Sequence, residues 1–188
     1  MTLLVVGLVL FLGTHLIPTV PPLREGLVAR LGAGGFKGAF TLLSLAGLAL
    51  IVVGYRAAAP GERLFAPWPA AIAVAPYAVA LAFVLLAAAN MRTHLRRSLR
   101  HPMLLGVILW SAVHLGANGD TRGTVLFGAI LAWALVDLAS AVSRNAVKTF
   151  EPSAKHDAIA IAAGIGLSLV VMTFHLGIFG VRAVSFGF

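Results

Sequence analysis

The sequence is 188 residues long, 60% of them hydrophobic and only 11% charged, against roughly 45–50% and about 25% in soluble domains. So few polar side chains can neither cover a water-soluble globule nor keep a chain disordered, which excludes both classes. The 14 Lys and Arg outnumber the 6 Asp and Glu but lie in short runs between long apolar blocks, which favours anionic lipid headgroups over nucleic acid as the partner.

Long uncharged runs predict an all-α protein, a polytopic membrane helical bundle of about six transmembrane helices, in one domain spanning residues 1–188. A bilayer core about 30 Å thick needs roughly 20 helical residues, and continuous rather than alternating apolar residues favour helices over a barrel. Pro18, Pro21 and Pro22 are expected to end the first span, and Pro76 to kink the third. The predicted spans are residues 3–23, 38–55, 64–91, 102–119, 123–142 and 158–181.

The distribution of basic residues predicts the orientation. The amino-terminal run lacks a basic start and a small-x-small cleavage site, so it is interpreted as the first span and not as a signal peptide. Ten basic residues fall in the first, third and fifth loops and four on the other side, which places the odd loops in the cytoplasm and both termini outside. In a bacterium this is the inner membrane. The ten are Arg24, Arg30, Lys37, Arg92, Arg96, Arg97, Arg100, Arg144, Lys148 and Lys155; the four are Arg56, Arg63, Arg122 and Arg182.

Histidines inside the spans give the strongest functional signal, because hydrocarbon penalises polar side chains. His15, His114 and His175 lie in FLGTHLIP, WSAVHLGAN and MTFHLGIFG, where each either hydrogen-bonds between helices or ligates a metal. With no cysteine in the chain and Asp137 as the one carboxylate deep in a span, a closed zinc site lacks ligands. Haem needs only one or two axial donors and a large apolar slot. Depth along the helices lets His114 pair with either His15 or His175.

The sequence Arg100-His101-Pro102 places a cation and an imidazole at the inner mouth of the fourth span, with proline in the first helical turn. These residues are expected to receive an anion, either lipid phosphate or the propionates of a haem whose edge faces the cytoplasm. His94 opens the same loop and is expected to contact lipid headgroups. The remaining arginines of this loop are Arg92, Arg96 and Arg97.

Two further polar features lie near the ends of the spans. Asn118, Gly119 and Asp120 are expected to form a turn that caps the fifth span or covers the site. Asp137 is expected to pair with a basic loop residue such as Arg144, a proton-relay role being the alternative.

Four segments, in this order and spacing, resemble the NnrU family over nearly the whole chain: FLGTHLIP followed by LREGL, then RHPMLLG, WSAVHLGANGD and LFGAILAWALVDL. That family is similar to the plastid zeta-carotene isomerases, integral membrane proteins that hold haem b between two histidines. The resemblance implies haem b as the cofactor, with His15 and His114 as its iron ligands. The isomerases carry a cysteine where this chain has Ser111, so no thiolate is present here as an alternative ligand.

The resemblance implies a haem b-binding inner-membrane protein with a redox or sensing role linked to nitrite and nitric-oxide reduction. A second hypothesis is a haem-dependent cis–trans isomerase acting on a polyene or another isoprenoid lipid. A third is a cofactor-free membrane assembly factor for a reductase complex, in which the histidines only bond between helices. The expected partners are the bilayer with its anionic headgroups, haem, and either an apolar isoprenoid substrate or a reductase complex.

Overall fold

A computed structural model describes residues 1–147 and 149–184. Lys148, counted above among the loop cations, and residues 185–188 lie outside the described part. Within it the secondary structure is helical, and the β-structure amounts to an isolated bridge between Arg63 and Asp120. The residues group into two compact units, Met1–Pro60 and Gly61–Phe188. The predicted all-α class is confirmed, whereas the single domain over residues 1–188 stays a prediction.

The lengths of the helices confirm a polytopic membrane protein. In the part of the chain that the structure describes, five helices are long and apolar enough to cross a bilayer: α1 with its following turn, α2, α3, α6 and α7. The apolar α5 is shorter, with 17 residues, or about 25 Å at a rise of 1.5 Å per residue. The choice of the inner membrane and the side of the termini stay predictions. The helices are α1 Thr2–Leu16, a 3₁₀ turn Ile17–Thr19, α2 Pro21–Ala57, α3 Pro69–Ala88, α4 His94–Leu99, α5 Pro102–Asn118, α6 Thr121–Ser143 and α7 Ala154–Phe179.

In the first unit, α1 and the second half of α2 pack as an antiparallel pair through small residues. A Cβ added at Gly7 would come within 2.6 Å of the Ile51 nitrogen, and one added at Gly47 within 2.8 Å of the Phe11 nitrogen. Helix association in lipid depends on van der Waals contact more than on the hydrophobic effect, so small residues that let backbones approach stabilise such a pair.

The connection between the first two spans is helical, contrary to the loop expected for residues 24–37. As predicted, Pro18 lies where the first helix ends, in the 3₁₀ turn after α1. The helix ends at Leu16, however, before the predicted limit at residue 23, and the expectation that Pro21 and Pro22 end it was wrong. Pro21 then begins α2, since a proline in the first helical turn loses no intrahelical hydrogen bond. The glycine-rich stretch breaks α2 at Gly32, whose φ of 72° and ψ of 161° are accessible to glycine without steric cost.

In the second unit, α3 packs against both α5 and α7, and α5 packs against α6. A Cβ added at Gly106 of α5 would lie 2.9 Å from the Ala82 carbonyl of α3, and one at Gly164 of α7 would lie 2.5 Å from the Val84 nitrogen. Pro76 lies buried inside α3. The two glycines therefore set how closely α5 and α7 approach the helix they share.

Candidate functional site

His15 and His114 are held by the same local arrangement. Nδ1 of His15 lies 2.7 Å from the Phe11 carbonyl oxygen, and Nδ1 of His114 lies 2.8 Å from that of Trp110, four residues earlier in both helices. A carbonyl oxygen only accepts, so Nδ1 carries a proton and donates. Each ring is thereby oriented, and Nε2 is the nitrogen through which its neutral form binds a metal ion.

Aromatic rings flank His114 in the second unit. The ring centroids of Trp110 and Phe127 each lie 4.8 Å from that of His114. The Asn118 side chain donates to the His114 carbonyl oxygen at 2.7 Å, so it fastens the last turn of α5. Ser111, at the position of the isomerase cysteine, is fully buried, and its hydroxyl donates to a carbonyl of its own helix.

His15 has a comparable aromatic setting in the first unit, with Phe11 at 4.2 Å and Phe40 at 5.1 Å between ring centroids. Phe40 also borders a cavity of about 320 Å³ that is mainly apolar but includes the ammonium-bearing Lys37. A Cβ added at Gly13 would have nothing within 4 Å, so α1 has no close neighbour at that position. The cavity residues are Pro18, Phe36, Lys37, Phe40 and Thr41.

His175 lies in the second unit, as does His114. Its surroundings differ from those of the other two histidines. Nδ1 of His175 donates to the Val181 carbonyl at 2.8 Å, beyond the left-handed Gly180 that ends α7. Its aromatic neighbour, Phe179 at 4.8 Å, follows it in sequence. His175 therefore lacks the local pattern that His15 and His114 share.

The predicted turn between α5 and α6 is present. Gly119 has a φ of 78°, and Asp120 caps α6 by accepting from the Gly123 N–H at 2.6 Å. The sequence did not reveal that residues 61–68 pack across this turn. There the Gly119 carbonyl accepts from the Leu64 N–H at 2.8 Å, and that of Gly116 accepts from the Trp68 N–H at 2.8 Å.

Three arginines of the loop between α3 and α5 line a cavity of about 480 Å³, the arginine pocket. The Arg96 guanidinium lies 4.9 Å from the centre of the Phe150 ring. Pro102 begins α5 as predicted, and His101 is its N-cap residue. The lining residues of the pocket are Arg96, Arg97, Arg100, Ala146, Val147, Thr149, Phe150 and Glu151.

Two side chains near the ends of the spans have partners that the sequence did not predict. His94 pairs with Asp157 rather than with headgroups alone: Nδ1 lies 2.5 Å from one carboxylate oxygen, and the backbone N–H donates to the other at 2.8 Å. The complementary acid 63 residues away was missed, because no local pattern links them. Arg144 donates from Nε to both oxygens of Ser140 at 3.1 Å, and the pairing of Asp137 with a basic loop residue stays a prediction.

Within residues 1–147 and 149–184, no group of three or more His, Asp or Glu side chains is placed to hold a metal ion.

The chain matches a protein family over almost its full length. No curated protein and no solved structure matches the chain. The family model described as "NnrU protein" matches residues 3–183 and thus includes most of both units. The resemblance seen in the sequence is confirmed, and the chain belongs to the NnrU family.

Proposed function

We propose that this NnrU-family protein binds haem b, with His15 and His114 as axial iron ligands, and has a redox or sensing role linked to nitrite and nitric-oxide reduction. One observation supports this pair above the others. Each of the two imidazoles donates from Nδ1 to the carbonyl of an aromatic residue four positions earlier and stacks near that residue's ring. An Nδ1 hydrogen bond of this kind orients metal-bound imidazoles and raises their basicity.

The donor set fits haem better than a bare ion. Two neutral imidazoles satisfy the axial positions of a haem iron, and the surrounding apolar side chains exclude water from its faces. When bound, haem supplies a one-electron redox centre. The cavity beside Phe40 adds an apolar wall near His15, and Lys37 brings a positive charge to that wall.

Arg100 and His101 were expected to bind either haem propionates or lipid phosphate. They precede His114 by 14 and 13 residues and lie next to the start of the continuous helix α5. At a rise of 1.5 Å per residue, about 20 Å separates them from His114 along the axis. We propose that they bind an anion at the start of α5, either lipid phosphate or, through the length of their own side chains, the haem propionates.

Absorption spectroscopy on the purified protein tests the proposal. The protein expressed with ample haem is expected to show a Soret band, reducible by dithionite, and stoichiometric iron. His15→Ala and His114→Ala should each lose or shift that band. His175→Ala, a matched control in a third apolar segment, should keep it. If His175→Ala lost the band and His15→Ala kept an unchanged spectrum, the ligands would instead be His114 and His175, both in the second unit.

The two other hypotheses make different predictions for the same preparation. A haem-dependent isomerase would change the absorbance of a cis-polyene added to the reduced protein in liposomes, and the apolar cavity near His15 is the feature that favours it. A cofactor-free assembly factor would be folded, colourless and free of iron. That last outcome would contradict haem binding altogether.

A further inference from the structure

The arginine pocket has a strongly unbalanced charge. Among the described residues its lining carries three guanidinium groups and one carboxylate, Glu151, which leaves two positive charges. The side chains of Ala146, Val147 and Phe150 form an apolar part of the pocket wall. The volume of about 480 Å³ lies within the range of small-molecule pockets, about 300–1,000 Å³.

The two walls of the pocket are tied to each other through hydrogen bonds behind it. One wall is α4 with the turn that follows, and the other is the segment leading into α7. The Asp157 carboxylate accepts from both the N–H and the Nδ1–H of His94, and the Ser153 N–H donates to the Arg92 carbonyl at 2.8 Å. These bonds fix the separation of the walls before any ligand arrives.

The backbone at Arg100 is strained. Its φ of 63° and ψ of −48°, with the His101 N–H donating to the Leu99 carbonyl at 2.7 Å, form a γ-turn of the rarer type. A long side chain seldom adopts positive φ, and such strain tends to occur where a ligand is bound. The turn lets Arg100 line the same cavity as Arg96 and Arg97, although α4 has already ended.

The three guanidinium groups differ in their contacts. Arg96 is held by the Phe150 ring and by a hydrogen bond from Nη1 to the Met91 carbonyl at 3.3 Å. Arg97 and Arg100 are exposed, and within the described part of the chain no side-chain hydrogen bond or ion pair engages them. Each presents a planar set of N–H donors, whose geometry matches two oxygens of a phosphate.

We infer that the arginine pocket binds a phosphate monoester, presented either by a lipid headgroup or by a soluble molecule. The net charge of the lining complements such a group, which carries about −1.5 to −2 at pH 7. The apolar wall suits the carbon skeleton next to the phosphate. The site is separate from His114, about 20 Å away along α5, and its test does not depend on haem.

Calorimetric titration of the full chain in detergent tests this site. The ligands are dihexanoyl phosphatidic acid, glycerol 3-phosphate and inorganic phosphate, with dihexanoyl phosphatidylcholine as the neutral comparison. The double variant Arg97→Gln/Arg100→Gln should weaken phosphatidic acid binding at least tenfold, because it removes both uncommitted guanidinium groups. Arg92→Gln removes one positive charge from the same loop outside the pocket, against two in the double variant, and it should change binding less than twofold.

Glu151→Gln keeps the proposal testable if the double variant misfolds. It removes the one carboxylate in the lining, so binding should strengthen severalfold, a gain that misfolding does not produce. Tighter binding of phosphatidic acid than of both soluble ligands would identify a site for lipid headgroups. Binding of glycerol 3-phosphate as tight as that of phosphatidic acid would identify a site for a soluble ester. Either result supports the pocket. Equal weakening by Arg92→Gln and the double variant, or equal binding of the choline lipid, would overturn it.

Discussion

At the scale of single residues, His15 and His114 owe their orientation to helix periodicity. Positions four apart lie on the same face of a helix, so Phe11 contacts His15 and Trp110 contacts His114. The motifs FLGTH and WSAVH therefore share an aromatic-x-x-x-His spacing, which the sequence alone already contains. His175 has Val171 at that position, and its ring instead contacts Phe179, four residues later in α7.

The N-cap of α6 is a second residue-scale feature with a measurable effect. Asp120→Ala removes the acceptor of the Gly123 N–H and should lower the free energy of unfolding by about 1 kcal/mol. Asp120→Asn keeps an acceptor at the same position and should change it by less than half as much. Thermal unfolding of both variants in the same detergent measures the difference. Equal stability of the alanine variant and the parent would mean that this cap does not stabilise α6.

At the scale of the helices, glycine positions determine which faces meet. Gly164 and Gly166 both lie in α7, but only the first touches a neighbouring helix. A Cβ on Gly164 would overlap the backbone of Val84, whereas one on Gly166 would meet nothing within 4 Å. The apolar composition of α7 is similar on all sides, so composition does not reveal this difference.

The two glycines form a matched pair for substitution. Gly164→Ala forces α7 away from α3 and should destabilise the protein by about 1–3 kcal/mol, as overpacking does. Gly166→Ala should be neutral or stabilising by up to about 1 kcal/mol, because alanine has the higher helix propensity. Unfolding of each variant with increasing concentrations of a denaturing detergent measures the difference in stability. Equal stability of the two variants would contradict the packing of α7 on α3.

At the scale of the whole molecule, the asymmetry of basic residues predicts which loops face the cytoplasm. The absence of cysteine makes single cysteines clean reporters. Ser98→Cys, in the arginine-rich loop, should react with an impermeant maleimide only in inverted vesicles, and Glu62→Cys only in intact cells. Both side chains are exposed. Ser168→Cys, buried within α7, should stay unlabelled. Labelling of Ser98→Cys in intact cells and of Glu62→Cys in inverted vesicles would show that the orientation is the opposite of the predicted one.

The sequence by itself determined the membrane class, the apolar helices and the histidines of interest. The penalty for polar groups in hydrocarbon acts on each segment separately, so local composition is sufficient. The helix start at Pro102 and the cap at Asp120 are local for the same reason: their partners lie within one turn.

Only the tertiary structure decided the pairing of His94 with Asp157, the seating of Gly164 on Val84 and the gathering of Arg97 with Phe150 in one cavity. These contacts join residues more than 50 positions apart. Which helices meet depends on small differences in van der Waals packing among faces of nearly equal hydrophobicity, and hydropathy alone does not distinguish such faces.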